Sequence, residues 1–129
     1  MTPIDKCKML YTADSPRTFE QDTIAHLMHG YFFSTPEYLL MARPVWSAAP
    51  QEAINDVYMM FPDQVVDAWY VYAFALRDDL GLAGLVKKLL RHMPYYLPLV
   101  AWERSGHKLT FFSTSKLITK YAKLSPFKD

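Results

Sequence analysis

Four groups of residues carry side chains whose type and spacing could support chemistry. His26 and His29 stand three residues apart in a stretch of helical periodicity, which sets two imidazoles one turn apart. That pairing suits metal ligation or general-base work. A metal needs three or four ligands, however, and no carboxylate or cysteine stands at a supporting spacing, so no metal is expected. The second group is the turn Arg77-Asp78-Asp79-Leu80-Gly81-Leu82-Ala83-Gly84 after the apolar run that ends at Leu76. Gly81 and Gly84 would let a pyrophosphate approach the backbone at a helix start, with Arg77 near for charge. Asp78 and Asp79 would repel an anion there, and the same residues equally make an ordinary acidic helix cap. Third is Tyr121, a phenol on a late helix that could serve as an acid or simply pack in the core. The last group mixes aromatic and basic residues: Trp102, Arg104, Lys108, Phe111, Phe112, Lys116 and Lys120. It could bind nucleic acid through phosphate contacts and stacking. No recognised signature accompanies it, and cross-strand aromatic pairing explains the rings more simply, so nucleic acid is disfavoured.

The elements that must position these groups follow from periodicity. Residues 1–17 read as an irregular segment interrupted by Pro3 and Pro16. Thr18 and Gln21 form a capping box for a helix at about 19–29, with Ile24, Leu27, Met28 and Tyr31 on its apolar stripe and Gly30 as its stop. Tyr31–Ser34 is short and aromatic. Glu37–Trp46 reads as a strand, with Pro44 arguing for an edge or a bulge. Ala48–Phe61 predicts a short amphipathic helix. Val65–Leu76 is apolar on both faces, with Tyr70, Tyr72, Phe74 and Leu76 on one and Trp69, Val71, Ala73 and Ala75 on the other, as an interior strand requires. A helix ending near Met93 follows it. A hairpin around Ser105-Gly106 and a last helix capped by Ser113 or Thr114 complete the chain. The expected fold is α+β: one domain, with a single mixed, mostly antiparallel sheet of about four strands flanked by helices.

Composition narrows the classes. With 129 residues, 51% hydrophobic and 16% aromatic, the chain can bury a core and is not a disordered one. Cys7 is the lone cysteine, which suits a reducing compartment. No leader and no long apolar run is read, so a cytoplasmic protein without a membrane span is expected. Charge is uneven: residues 1–85 carry five basic and eleven acidic side chains, and residues 86–129 carry nine and two. Walker loops, nucleophile elbows and dinucleotide fingerprints are absent.

The strand–turn–helix at 65–93 resembles the GNAT acyltransferase superfamily, in which a strand end meets acyl-coenzyme A and an R/Q-x-x-G-x-G/A turn holds its pyrophosphate. Gly81-Leu82-Ala83 supplies the G-x-A part. Arg77 lies four residues before Gly81, and Asp78 occupies the position the family fills with Arg or Gln. From about Glu37 onward the layout is most similar to the toxin-activating lysine acyltransferases, through Trp69–Ala73, Val100–Arg104 and Lys108–Phe112. Those enzymes use a histidine near the N-terminus, which here is His26 or His29, and an Asp in the central strand, where this chain has Tyr72. The resemblance implies an acyl-coenzyme A or acyl-carrier thioester as donor. It places cofactor contacts at Leu76, Arg77, Gly81, Ala83 and Gly84 and catalytic roles at His29 and Tyr121, in an enzyme or an inactive relative. The alternative is a non-catalytic α+β interaction module, a homodimer or an accessory protein of a larger assembly, consistent with seven methionines including Met59-Met60. A basic-face nucleic-acid binder is the third option.

Overall fold

A computed structural model of the chain describes residues 1–29, 31–81, 93–104 and 108–121. The expected helix after Leu80, the Ser105-Gly106 turn, Gly30, Ala83 and Gly84 lie outside the described residues. The start of the chain departs from the expected irregular segment: it forms helix α1, Pro3–Met9. Pro3 does not interrupt this helix because it sits in the first turn, where its missing N–H costs nothing. Thr2 caps it, its hydroxyl accepting from the Asp5 N–H at 3.1 Å.

Helix α2, Phe19–His29, begins at the capping box: Thr18 N–H donates to Gln21 Oε1 at 2.9 Å, and Gln21 N–H donates to Thr18 Oγ1 at 3.1 Å. Its orientation reverses the expected stripe. Asp22, Ala25 and His26 are the buried residues, whereas Ile24, Leu27 and Met28 are more than half exposed. A polar network under α2, described below, holds the buried face inward in place of the larger apolar side chains.

Five strands form one sheet in the order β1 (Tyr31–Ser34), β2 (Tyr38–Val45), β3 (Ala68–Leu76), β4 (Leu99–Arg104) and β5 (Lys108–Ser113). The additional strand is β1, whose four aromatic and small residues pair with 39–42 of β2. All neighbours are antiparallel except β3 and β4, which run parallel and need a crossover through residues 77–98. β2 is interior, but Pro44 lies past its last β1 partner, so at that position only β3 flanks it. The middle strand of the sheet is β3, flanked by β2 and β4, as its two-sided apolar pattern requires.

Helix α3 is Pro50–Asn55, shorter than the expected 48–61. Asp56 leaves the helical conformation, and its Oδ1 accepts from the Tyr58 N–H at 2.9 Å, a local bond that competes with continued helix. Helix α4, Thr114–Tyr121, starts where Ser113 Oγ accepts from the Lys116 N–H at 3.4 Å. No helix among the described residues is long and apolar enough to cross a membrane.

The core divides by sheet face. Leu39, Met41 and Ala75 pack with Cys7 of α1, and Val45, Ala68 and Tyr70 pack with Ala53 of α3. On the opposite face Tyr38, Leu40, Ala42, Trp69, Val71 and Val100 form a cluster with Leu97, joined by Leu117 of α4. The alternation expected for β3 breaks at Tyr72. Met41 pairs with Ala73 and Ala42 with Val71, so Tyr72 is the extra residue of a bulge. Tyr72 therefore stays with Tyr70 but is joined by Ala73 and Ala75, while Phe74 and Leu76 cross to the face of Trp69 and Val71.

Candidate functional site

The parallel pair holds for only three residues, Ala68–Tyr70 against Leu99–Ala101. Beyond it β3 continues to Leu76 laddered to β2, and β4 continues to Arg104 laddered to β5. The two strands part after Tyr70 and Ala101, and the bulge at Tyr72 lies just inside the fork. A pocket of about 230 Å³ opens there, lined by Tyr72 and Ala73 of β3, Glu103 of β4, and Tyr11, Arg17 and Asp22.

A buried carboxylate organises the pocket wall. Asp22 is fully buried, and its Oδ2 accepts from the Tyr11 and Tyr72 hydroxyls, each at 2.6 Å. Oδ1 accepts from Arg17 Nε at 2.6 Å, and Arg17 Nη2 donates to the Tyr72 hydroxyl at 2.9 Å. The Tyr72 hydroxyl thus donates to a carboxylate and accepts from a guanidinium, which fixes its direction. Burial first, and the bond to Asp22 second, push the Tyr11 and Tyr72 phenols above their ordinary range, so both stay protonated at neutral pH. On the β4 side Tyr70 donates to Glu103 Oε1 at 2.7 Å.

His26 lies under Tyr72, with ring centroids 4.8 Å apart. A carbonyl only accepts, so the 2.7 Å contact of Nδ1 with Asp22 O makes Nδ1 the protonated nitrogen. Nε2 then carries a bare lone pair, and it is buried with no hydrogen-bond partner among the described residues. Burial is the main cause that pushes the imidazole down to about 4, with the Arg43 charge adding to it. Arg43, 2% exposed, donates to the carbonyls of Ala53, Asp56 and Met59, holding α3 and the turn after it against the sheet.

The residues singled out from sequence fall in separate places. His29 is half-buried at the end of α2, with Nδ1 3.2 Å from Met60 Sδ and its ring 6.1 Å from that of Tyr58. Tyr121 closes α4, half-buried, with Lys120 Nζ 5.2 Å from its ring centroid. Leu76 offers its carbonyl to Lys6 Nζ at 2.7 Å. Arg77 grips Asp79 through two bonds of 2.5 and 2.8 Å, and Asp78 meets Lys6 Nζ at 2.5 Å. The two aspartates of the turn are thereby neutralised locally, and the Arg77 fork is engaged by Asp79 rather than open to an anion. Gly81 follows this turn, half-buried. Trp102 and Phe112 stack on one another at 4.1 Å, the cross-strand arrangement expected of the hairpin aromatics. Among the described residues no cluster of His, Cys, Asp and Glu could hold a metal ion.

Tyr11, Arg17, Asp22 and Glu103 do not stand out from the sequence as site residues. One signal is present: Asp22 stands one helical turn before His26, a carboxylate at supporting spacing after all. Compared with protein-family models, with characterised proteins and with solved structures, the chain matches none.

Proposed function

We propose that the fork between β3 and β4 binds an acyl thioester, of coenzyme A or a carrier protein, in a GNAT-like acyltransferase or a catalytically silent relative of one. The observation that carries this reading is the parting of β3 and β4 after three paired residues, with the Tyr72 bulge inside the fork. Facing strand edges without a shared ladder leave room and backbone groups for an extended, amide-bearing arm such as pantetheine. In a catalytic form, an amine attacks the thioester carbonyl, the C–N bond forms and the C–S bond breaks. The Glu103 carboxylate, at the pocket rim, takes the proton lost by the amine and hands it to the departing thiolate. His29 and Tyr121, away from this hub in their described contacts, are the roles that the family resemblance assigns and remain separate mutational targets.

Calorimetry with acetyl-coenzyme A and longer acyl-coenzyme A tests the reading. Heat and a raised melting temperature are expected, both weakened by Ala73→Trp, which fills the fork. Absence of binding by every thioester, with the protein folded, overturns it.

A second reading, an interaction module, is favoured by the outer face of α2. Ile24, Leu27 and Met28 are 53%, 62% and 65% exposed, and His29 links them to Met60 and Tyr58, 64% and 45% exposed. At roughly 100 Å² each, two such faces related by a two-fold axis would bury about 1,000 Å², the threshold for a specific contact. The occupant this reading names is a second copy of the chain. Light scattering after gel filtration should then give a dimer that Leu27→Lys dissociates; a strictly monomeric protein excludes it.

A further inference from the structure

On the opposite side of the sheet, at the root of the same fork, lies a second pocket of about 190 Å³. Its floor is Trp69 and Val100, each 1% exposed and partners in the parallel register. Leu97 and Ile118 form its walls, and Tyr95 and Tyr96, 43% and 62% exposed, stand at its rim. The polar groups that could face it are already used. The Trp69 indole N–H donates to Tyr95 O at 3.1 Å, and the buried Thr114 hydroxyl donates to Leu97 O at 2.7 Å. What remains among the described residues is an apolar lining that offers a ligand contact surface and no spare buried side-chain hydrogen bond.

Such a pocket selects by volume and apolarity. We infer that it takes an unbranched aliphatic chain of about six to eight carbons, since a cavity of about 150 Å³ already holds benzene. Trp69 and Val100 lie one residue before the strands part, so a linear ligand threaded through the fork reaches both faces of the sheet. Its reactive end would lie by Tyr72 and Glu103, and its tail by Trp69 and Ile118. That the tail is the acyl group of a thioester rests on the reading above, and it specifies the substrate as a medium-chain acyl donor.

The test is calorimetry with acetyl-, hexanoyl- and octanoyl-coenzyme A and with sodium octanoate alone, on the native chain and on Ile118→Trp. Ile118 is 39% exposed on α4, so the larger ring can narrow the pocket without unfolding the core. Affinity is expected to rise about fourfold for each methylene beyond acetyl, and Ile118→Trp to erase that rise while leaving acetyl-coenzyme A binding unchanged. Val100→Leu, which removes space from the floor, should do the same more weakly. Equal affinity for all three thioesters overturns the pocket inference and leaves the thioester reading standing. Binding of octanoate, lost in Ile118→Trp, with no thioester bound, supports the pocket and overturns the thioester. Failure of all four ligands to bind overturns both.

Discussion

The Tyr72 hydroxyl donates to Asp22 Oδ2 at 2.6 Å, joining the bulge of β3 to the buried face of α2 across fifty residues of sequence. The bond explains two departures from simple patterning together. It holds the bulged residue on the α2 side of the sheet, and it gives α2 a polar reason to turn its larger apolar residues outward.

Because Asp22 receives three side-chain bonds in a fully buried position, Asp22→Asn should lower stability by about 2–4 kcal/mol. Tyr72→Phe removes the shared hydroxyl and should cost about 1–2 kcal/mol. Urea denaturation monitored by tryptophan fluorescence gives both values. Equal, near-zero effects would mean that the network contributes nothing to folding.

His26 sets a pH dependence. Its folded pKa, about 4, lies below the ordinary 6.5, so between these values the unfolded chain binds the extra proton. The stabilisation is complete above about pH 6.5 and is lost as pH falls toward 4, by roughly 3 kcal/mol in all. Denaturation series from pH 4.5 to 7 should show the slope in the native chain and a reduced slope in His26→Gln.

Burial pushes the Cys7 thiol up to about 11. At pH 8 the folded protein should therefore react with a thiol reagent about 100-fold more slowly than the denatured chain. Prompt labelling of the native protein would show that α1 opens readily from β2 and β3.

Arg43 reaches three carbonyls around the end of α3 from a buried position over Tyr70. Lysine cannot span that set, so Arg43→Lys should cost about 2–4 kcal/mol and loosen residues 53–59. Hydrogen exchange of those amides checks the local effect, and thermal unfolding checks the global one.

The parts of the fold that declared themselves in sequence were those specified by neighbours. Thr18 and Gln21 are three residues apart and make both bonds of their capping box. The β4–β5 hairpin and the two-sided pattern of β3 are likewise local. The bulge leaves no local mark, because one extra residue in an apolar strand changes no composition. It does move Phe74 and Leu76 to the other face, so strict alternation misassigns everything after Tyr72. The site was illegible for a related reason. Tyr11, Arg17, Asp22, Tyr72 and Glu103 come from four separate segments, and only the Asp22–His26 spacing lies within one element. Pro3 was misleading because the same residue stops a helix from within and starts one at its first turn.

The bulge also makes β3 a strand with one spare position. On either side of Tyr72 each residue has a partner on β2, so its identity is tied to the register of the whole sheet. Tyr72 alone is outside that bookkeeping. Deleting it would leave Val71 opposite Ala42 and Ala73 opposite Met41 in unbroken succession, with Phe74 and Leu76 still on the face of Trp69 and Val71. Replacing it leaves the ladder intact. The chain can therefore exchange the chemistry at the fork through a single side chain without renegotiating the fold that carries it.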